Sequence, residues 1–140
     1  MQAHLPEFRA RGVSVAAVAQ GTGIEAARFC GMLKIGYPCL GDPGRRAYRG
    51  FELPRDRWWN VTVKPFLEDA PLAWSRIRHA SLKGSMLPHT DVLQLGGVVV
   101  IDRAGVVRYL YRSRKTDDLP ASSEVLAEID RLGLSRRSTP

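Results

Sequence analysis

Apolar side chains recur along this chain in short blocks, each closed by glycine or proline. Gln2 to Arg11 mixes Leu5 and Phe8 with Glu7, Arg9 and Arg11 and stops at Gly12. That is the pattern of the last turns of a helix with a glycine past its end, and Pro6 argues against a long uninterrupted one. Val13 to Ala19 is a run of valine and alanine with Ser14 among them, leading into Gly21-Thr-Gly23, as expected of a strand buried on both faces. A helix follows from about Ile24 to Leu33, with Ala26, Cys30 and Leu33 on one stripe and Gly36 closing it. Tyr37 to Leu40 predicts a short strand, ended by a turn over Gly41 to Gly44.

Arg45 to Leu53 fits one or two helical turns with Ala47, Tyr48 and Phe51 facing inward. Residues 54–91 hold all three tryptophans (Trp58, Trp59, Trp74), prolines at 54, 65, 71 and 88, and no clean period, which predicts an irregular insertion. The clearest signal comes next. Gly96 to Asp102, rich in β-branched residues, and Val106 to Arg112, with valines and tyrosines, flank a turn in which Gly105 supplies the positive φ of a hairpin. Ser122 or Ser123 then caps an amphipathic helix from Glu124 to Leu132, ended by Gly133, and residues 135–140 read as a frayed basic tail. There is no internal repeat and no linker, so residues 1–134 are expected to form one domain. Helix, strand, helix, strand, helix, insertion, hairpin, helix is the order of an α/β protein with a mixed sheet flanked by helices.

Composition narrows the class rather than the function. With 140 residues and 44% apolar side chains, the chain is long enough to bury about two-thirds of its unfolded surface without disulfides or metals, which excludes wholesale disorder and a disulfide scaffold. Its longest apolar stretches fall far short of the ~20 residues that span a bilayer, and the N-terminus has no apolar signal region. The expectation is a cytoplasmic protein with reduced thiols and no membrane partner. The net charge of +7 rests on 17 arginines and 4 lysines, and five of those units lie between Arg45 and Lys83.

Several motifs carry chemistry on paper. Gly21-Thr-Gly-Ile-Glu-Ala26 matches the dinucleotide pattern G-x-G-x-x-A, with Asp42 ending the next strand. Yet Thr22 and Glu25 also form T-x-x-E, a capping box that satisfies the helix's first N–H groups, and Glu25 would meet a pyrophosphate with like charge. The capping box is the better reading, and no cofactor is expected. The two cysteines, Cys30 and Cys39, are nine apart, which is not C-x-x-C, and both read first as small packing residues. As redox candidates, Cys39 beside Pro38 is the first choice of nucleophile and Cys30 the second, as its partner, with Arg45 and Arg46 the nearest cations in sequence. His4, His79 and His89 show no metal-ligand spacing, although His89 and Asp91 suit a local pair. The aromatic and basic residues of the insertion suit stacking on single-stranded nucleic acid, but they show no ordered pattern, and nucleic acid is not expected as a partner.

The run from Leu5 to Cys30, the segment Tyr37 to Pro43 with Ala47-Tyr48-Arg49, the stretch Leu93 to Asp102, and Tyr111 to Arg114 together resemble the AhpC/TSA-type peroxiredoxin-like proteins of the thioredoxin superfamily. The resemblance implies a thioredoxin-like fold and thiol-dependent reduction of peroxides or disulfides, in an antioxidant role, with a thiol reductant as partner. In that family the reactive cysteine, often in C-x-x-C, precedes the helix that here ends at Gly12. This sequence begins inside that helix, so Met1 reads as an internal methionine and no family cysteine carries over. Relative to the family the fold is N-terminally truncated by its central strand, between the Val13 and Val98 strands. Two sheet fragments with unpaired inner edges are the expected result, with a homodimer as one consequence. The alternative function is a redox-silent scaffold or binding module using the basic aromatic insertion; a nucleotide-binding domain is the third.

Overall fold

The computed structural model describes residues 1–57, 91, 93–115 and 118–135, so nearly all of the insertion and the end of the tail lie outside the described residues. A single 3-10 turn, Gln2–His4, opens into α1 (Leu5–Ala10). Pro6 sits in its first turn, where a missing N–H costs no helical hydrogen bond, and Gly12 ends it at φ 69°. Leu5 and Phe8 are buried.

Two strands, β1 (Ala17–Gln20) and β2 (Cys39–Asp42), pair in parallel with Ala17 opposite Cys39 and Gln20 opposite Asp42. The intervening α2 (Gly23–Met32) crosses between them. Both strands lie a few residues later than the sequence suggested. Pro38 has no N–H to give a ladder, so only its carbonyl takes part, accepting from Ala17 N–H at 2.8 Å, and β2 starts at the next residue. Gly41, expected in a turn, lies inside β2. A Cβ there would come within 2.4 Å of the Gly23 nitrogen and the Thr22 carbonyl carbon, so the absence of a side chain lets α2 begin directly against the strand.

The end of α2 departs from expectation too. Leu33 stands 51% exposed, so the buried stripe contains Ala26 and Cys30 but not Leu33. Lys34, not Gly36, takes the left-handed conformation at φ 53°, and Ile35 N–H reaches back to Cys30 C=O at 3.0 Å in a Schellman arrangement.

Beyond β2, α3 (Arg46–Gly50) is short, as expected, with Ala47, Tyr48 and Phe51 all partly buried. The hairpin is where the sequence put it: β3 (Gly97–Ile101) pairs antiparallel with β4 (Val107–Arg112), and Gly105 adopts φ 81°. Asp102 organises its turn by accepting Ala104 and Val106 N–H, both at 2.9 Å. The last helix, α4 (Ser122–Arg131), is capped differently from expectation. Ala121 occupies the capping position and gives its N–H to the Glu124 carboxylate at 3.1 Å, while the Ser122 hydroxyl meets the Met1 amine. Gly133 ends this helix at φ 64°.

Phe8 from α1 and Val125, Leu126 and Ile129 from α4 form the buried cluster, and Val13, Val15, Val98 and Val100 pack against it. Strand β3 and the segment leading into β1 therefore rest on one helical floor. The two strand pairs are separate sheets nonetheless, β1–β2 and β3–β4, with no ladder between them among the described residues. The chain is thus a mixed α/β, thioredoxin-like protein whose sheet is in two fragments.

Candidate redox site

Cys30 and Cys39 are joined by a disulfide, with Cα atoms 6.5 Å apart. This corrects the expectation of reduced thiols that only pack. Its physical origin lies in two periodicities. Cys30 follows Ala26 by one helical turn on the buried face of α2, and Cys39 and Gly41 share the side of β2 that faces the helix. The Schellman turn brings the chain straight back, so the last turn of the helix lies over the first residue of the strand. Cys30 is buried at 5% exposure, whereas Cys39 is only half-buried, its sulfur 3.7 Å from Tyr37 C=O. The sequence did hold a signal for this pairing: a helix stripe ending in cysteine, followed after one turn by a strand starting in cysteine.

Other candidates are used structurally. Both halves of the capping box are present, with Glu25 N–H reaching the Thr22 hydroxyl at 3.3 Å and Thr22 N–H reaching the Glu25 carboxylate at 2.7 Å. The Glu25 carboxylate thus occupies the place a pyrophosphate would need. Asp42, buried at 9% exposure, accepts N–H from Arg46 and Ala47, each at 2.8 Å, and so starts α3.

Arg45, the cation expected nearest Cys39, is engaged elsewhere. Its guanidinium holds the Asp91 carboxylate at 2.5 Å, and Arg55 holds the same oxygen at 2.9 Å. Gln20 completes this joint by exchanging two side-chain hydrogen bonds with the Asp91 backbone. Burial pushes the Asp91 carboxyl up, but the Leu93 N–H and the two guanidiniums together outweigh it and leave the pKa below the usual carboxylate value. His89, the partner suggested for Asp91, and the tryptophans of the insertion lie outside the described residues, as does His79.

The description "AhpC/TSA antioxidant enzyme" belongs to the family model that matches residues 1–115. The chain belongs to this family. Membership in the AhpC/TSA family establishes redox function in general for the chain. No curated protein and no solved structure matches it. Among the described residues, no helix of this AhpC/TSA chain is long and apolar enough to cross a membrane.

Proposed function

We propose that this chain is a thiol-dependent oxidoreductase that reduces peroxides or disulfides through Cys39 and Cys30 as a reversible couple. The observation that carries the reading is the bond between its two cysteines. Cys39 is the nucleophile because it is the more exposed residue of the two, half-buried where Cys30 on α2 is buried. In the reduced form the Cys39 thiolate attacks the terminal peroxide oxygen. The O–O bond breaks, one proton is taken up, and an alcohol or water leaves with Cys39 as the sulfenic acid. Cys30, as thiolate, then attacks the Cys39 sulfur, and the departing hydroxide takes a proton to leave as water. With a disulfide substrate, Cys39 first forms a mixed disulfide and expels one thiolate, and Cys30 displaces the second.

An external dithiol returns the couple to its reduced form, taking the disulfide itself. A cytoplasmic location, with its pool of thiol reductants, suits such a cycle. The test is peroxide consumption with dithiothreitol as reductant. The proposal expects turnover by the native chain and its loss in Cys39→Ser; unchanged turnover in that variant overturns the assignment. With one equivalent of peroxide and no dithiol present, Cys30→Ser is expected to stop at the Cys39 sulfenic acid, where the native chain goes on to the disulfide.

A further inference from the structure

The two cysteines are joined by a turn whose own sequence does not favour its shape. Residues 31–38 run from Cys30 to Cys39, and Lys34, at their middle, is held at φ 53°, a conformation that crowds any residue with a Cβ. Lys34 N–H bonds to Gly31 C=O and Ile35 N–H to Cys30 C=O, which fixes the near end of the turn to α2. Pro38 C=O accepts from Ala17 N–H and fixes the far end to β1.

Between these ties the turn is met by one side chain from a distant part of the sequence. Gln2 Nε2 donates to Lys34 C=O at 3.3 Å, and Gly36 N–H donates to Gln2 Oε1 at 2.8 Å. A carboxamide carries a donor and an acceptor on one tip, so a single residue closes both backbone groups. The packing suits the arrangement. A Cβ on Gly36 would lie 3.0 Å from Gln2 Nε2 and 3.6 Å from a Leu5 methyl carbon, so the glycine gives the amide its room. Leu5, three residues after Gln2, is buried, and the amide is therefore presented by an anchored turn.

We propose that Gln2 is a positioning residue that sets the redox poise of the Cys30–Cys39 couple, by holding the turn between the cysteines in the shape that brings their sulfurs together. This rests on the cysteine couple of the proposed cycle, but not on peroxide as its substrate. In the disulfide the turn is already closed and the amide finds both partners in place. In the dithiol the cross-link is gone, ordering the turn costs more, and the clamp is open for a larger part of the time. A contact that forms better in one state favours that state, and the coupling is reciprocal: the bond strengthens the clamp by the factor by which the clamp strengthens the bond. Gln2 thus makes the disulfide easier for Cys30 to close and harder for a dithiol to open.

The equilibrium is read in dithiothreitol buffers with no peroxide present. One dithiothreitol gives two electrons and two protons to the chain's disulfide and closes to its own cyclic disulfide, and the two thiols left on the chain are counted by alkylation and mass. Gln2→Met keeps the length of the side chain and lacks both hydrogen-bonding groups. The proposal expects the equilibrium constant for forming the bond to fall about 2- to 12-fold in this variant, a rise in reduction potential of about 9 to 32 mV. Asp102→Ala, which loosens the hairpin turn on the other sheet, should leave the constant unchanged. In the native chain the Gly36 amide should exchange with solvent faster in the reduced form than in the oxidised form, by the same factor that Gln2→Met takes from the constant.

An unchanged constant in Gln2→Met overturns the proposal, as does Gly36 exchange that is equal in the two forms. An equal fall in Asp102→Ala also overturns it, because the shift then reports a general loosening of the fold. A chain that shows the Gln2 effect yet consumes no peroxide refutes the peroxide cycle and upholds the positioning role.

Discussion

Reducing the Cys30–Cys39 bond removes a cross-link whose effect on stability follows from chain separation. The two residues are nine apart, and the loop-entropy relation assigns a closed loop of that length about 2.6 kcal/mol, present in the oxidised protein and absent in the reduced one. In a chain of 140 residues each kcal/mol moves the melting temperature by about 3 to 5 °C, so reduction should lower it by about 8 to 13 °C. The assay is thermal unfolding by circular dichroism with and without a phosphine reductant, beside a thiol titration. The oxidised chain should show no free thiol, and the reduced chain two. The Cys30→Ala, Cys39→Ala double variant should melt near the reduced protein and be indifferent to reductant. If oxidised and reduced chains melt within about 2 °C of each other while both thiols titrate, the entropic argument is refuted. The same measurement bears on the proposed cycle, because a couple that turns over must leave the reduced chain folded at working temperature.

Ile129→Ala should destabilise the fold by about 2 to 5 kcal/mol, measured by urea unfolding, since Ile129 is 1% exposed at the centre of the cluster joining α1 and α4. Gly41→Ala should cost about 2 to 3 kcal/mol in the same assay, because its Cβ would lie 2.4 Å from the backbone of α2; a neutral result would mean that the helix does not start against β2. Asp42→Ala leaves the first N–H groups of α3 unpaired and should cost about 1 to 2 kcal/mol. Asp91, with a lowered folded pKa, contributes stability that is present above the unfolded carboxylate value of about 4 and is lost as pH falls through the folded value. Unfolding free energies measured across that acid range should fall less steeply in Asp91→Asn than in the native chain.

Which features could be read from the sequence depended on how local their causes are. The hairpin needs only a glycine able to hold φ 81° between two runs of strand-forming residues, and both are adjacent in the chain. The start of α2 needs only Thr22 and Glu25, three residues apart, and both capping bonds formed as expected. The two sheet fragments were legible through the family resemblance, because the pattern of strands that carries it omits a neighbour for the Val13 segment. Where the outcome hung on a distant partner, the reading slipped. A serine was expected to cap α4, but the Met1 amine takes the Ser122 hydroxyl from the other end of the chain, and the cap moves back to Ala121.

Cys39 shows the same dependence most sharply, because its surroundings are decided by register. Local pattern put it inside a strand ending at Leu40, and that left open which way its side chain points. The ladder sets Cys39 opposite Ala17, with Gly41 two residues on pressed against the start of α2, and the two-residue period of a strand then turns the Cys39 side chain to the helix and to Cys30. A slip of one residue would turn that side chain to the opposite face and bring Leu40, now 55% exposed, under the helix instead. Pro38, which has no N–H to extend the ladder before Cys39, and Gly41, which alone tolerates the approach of α2, hold the register from both sides. The candidate redox pair therefore rests on a proline and a glycine that carry no chemistry of their own.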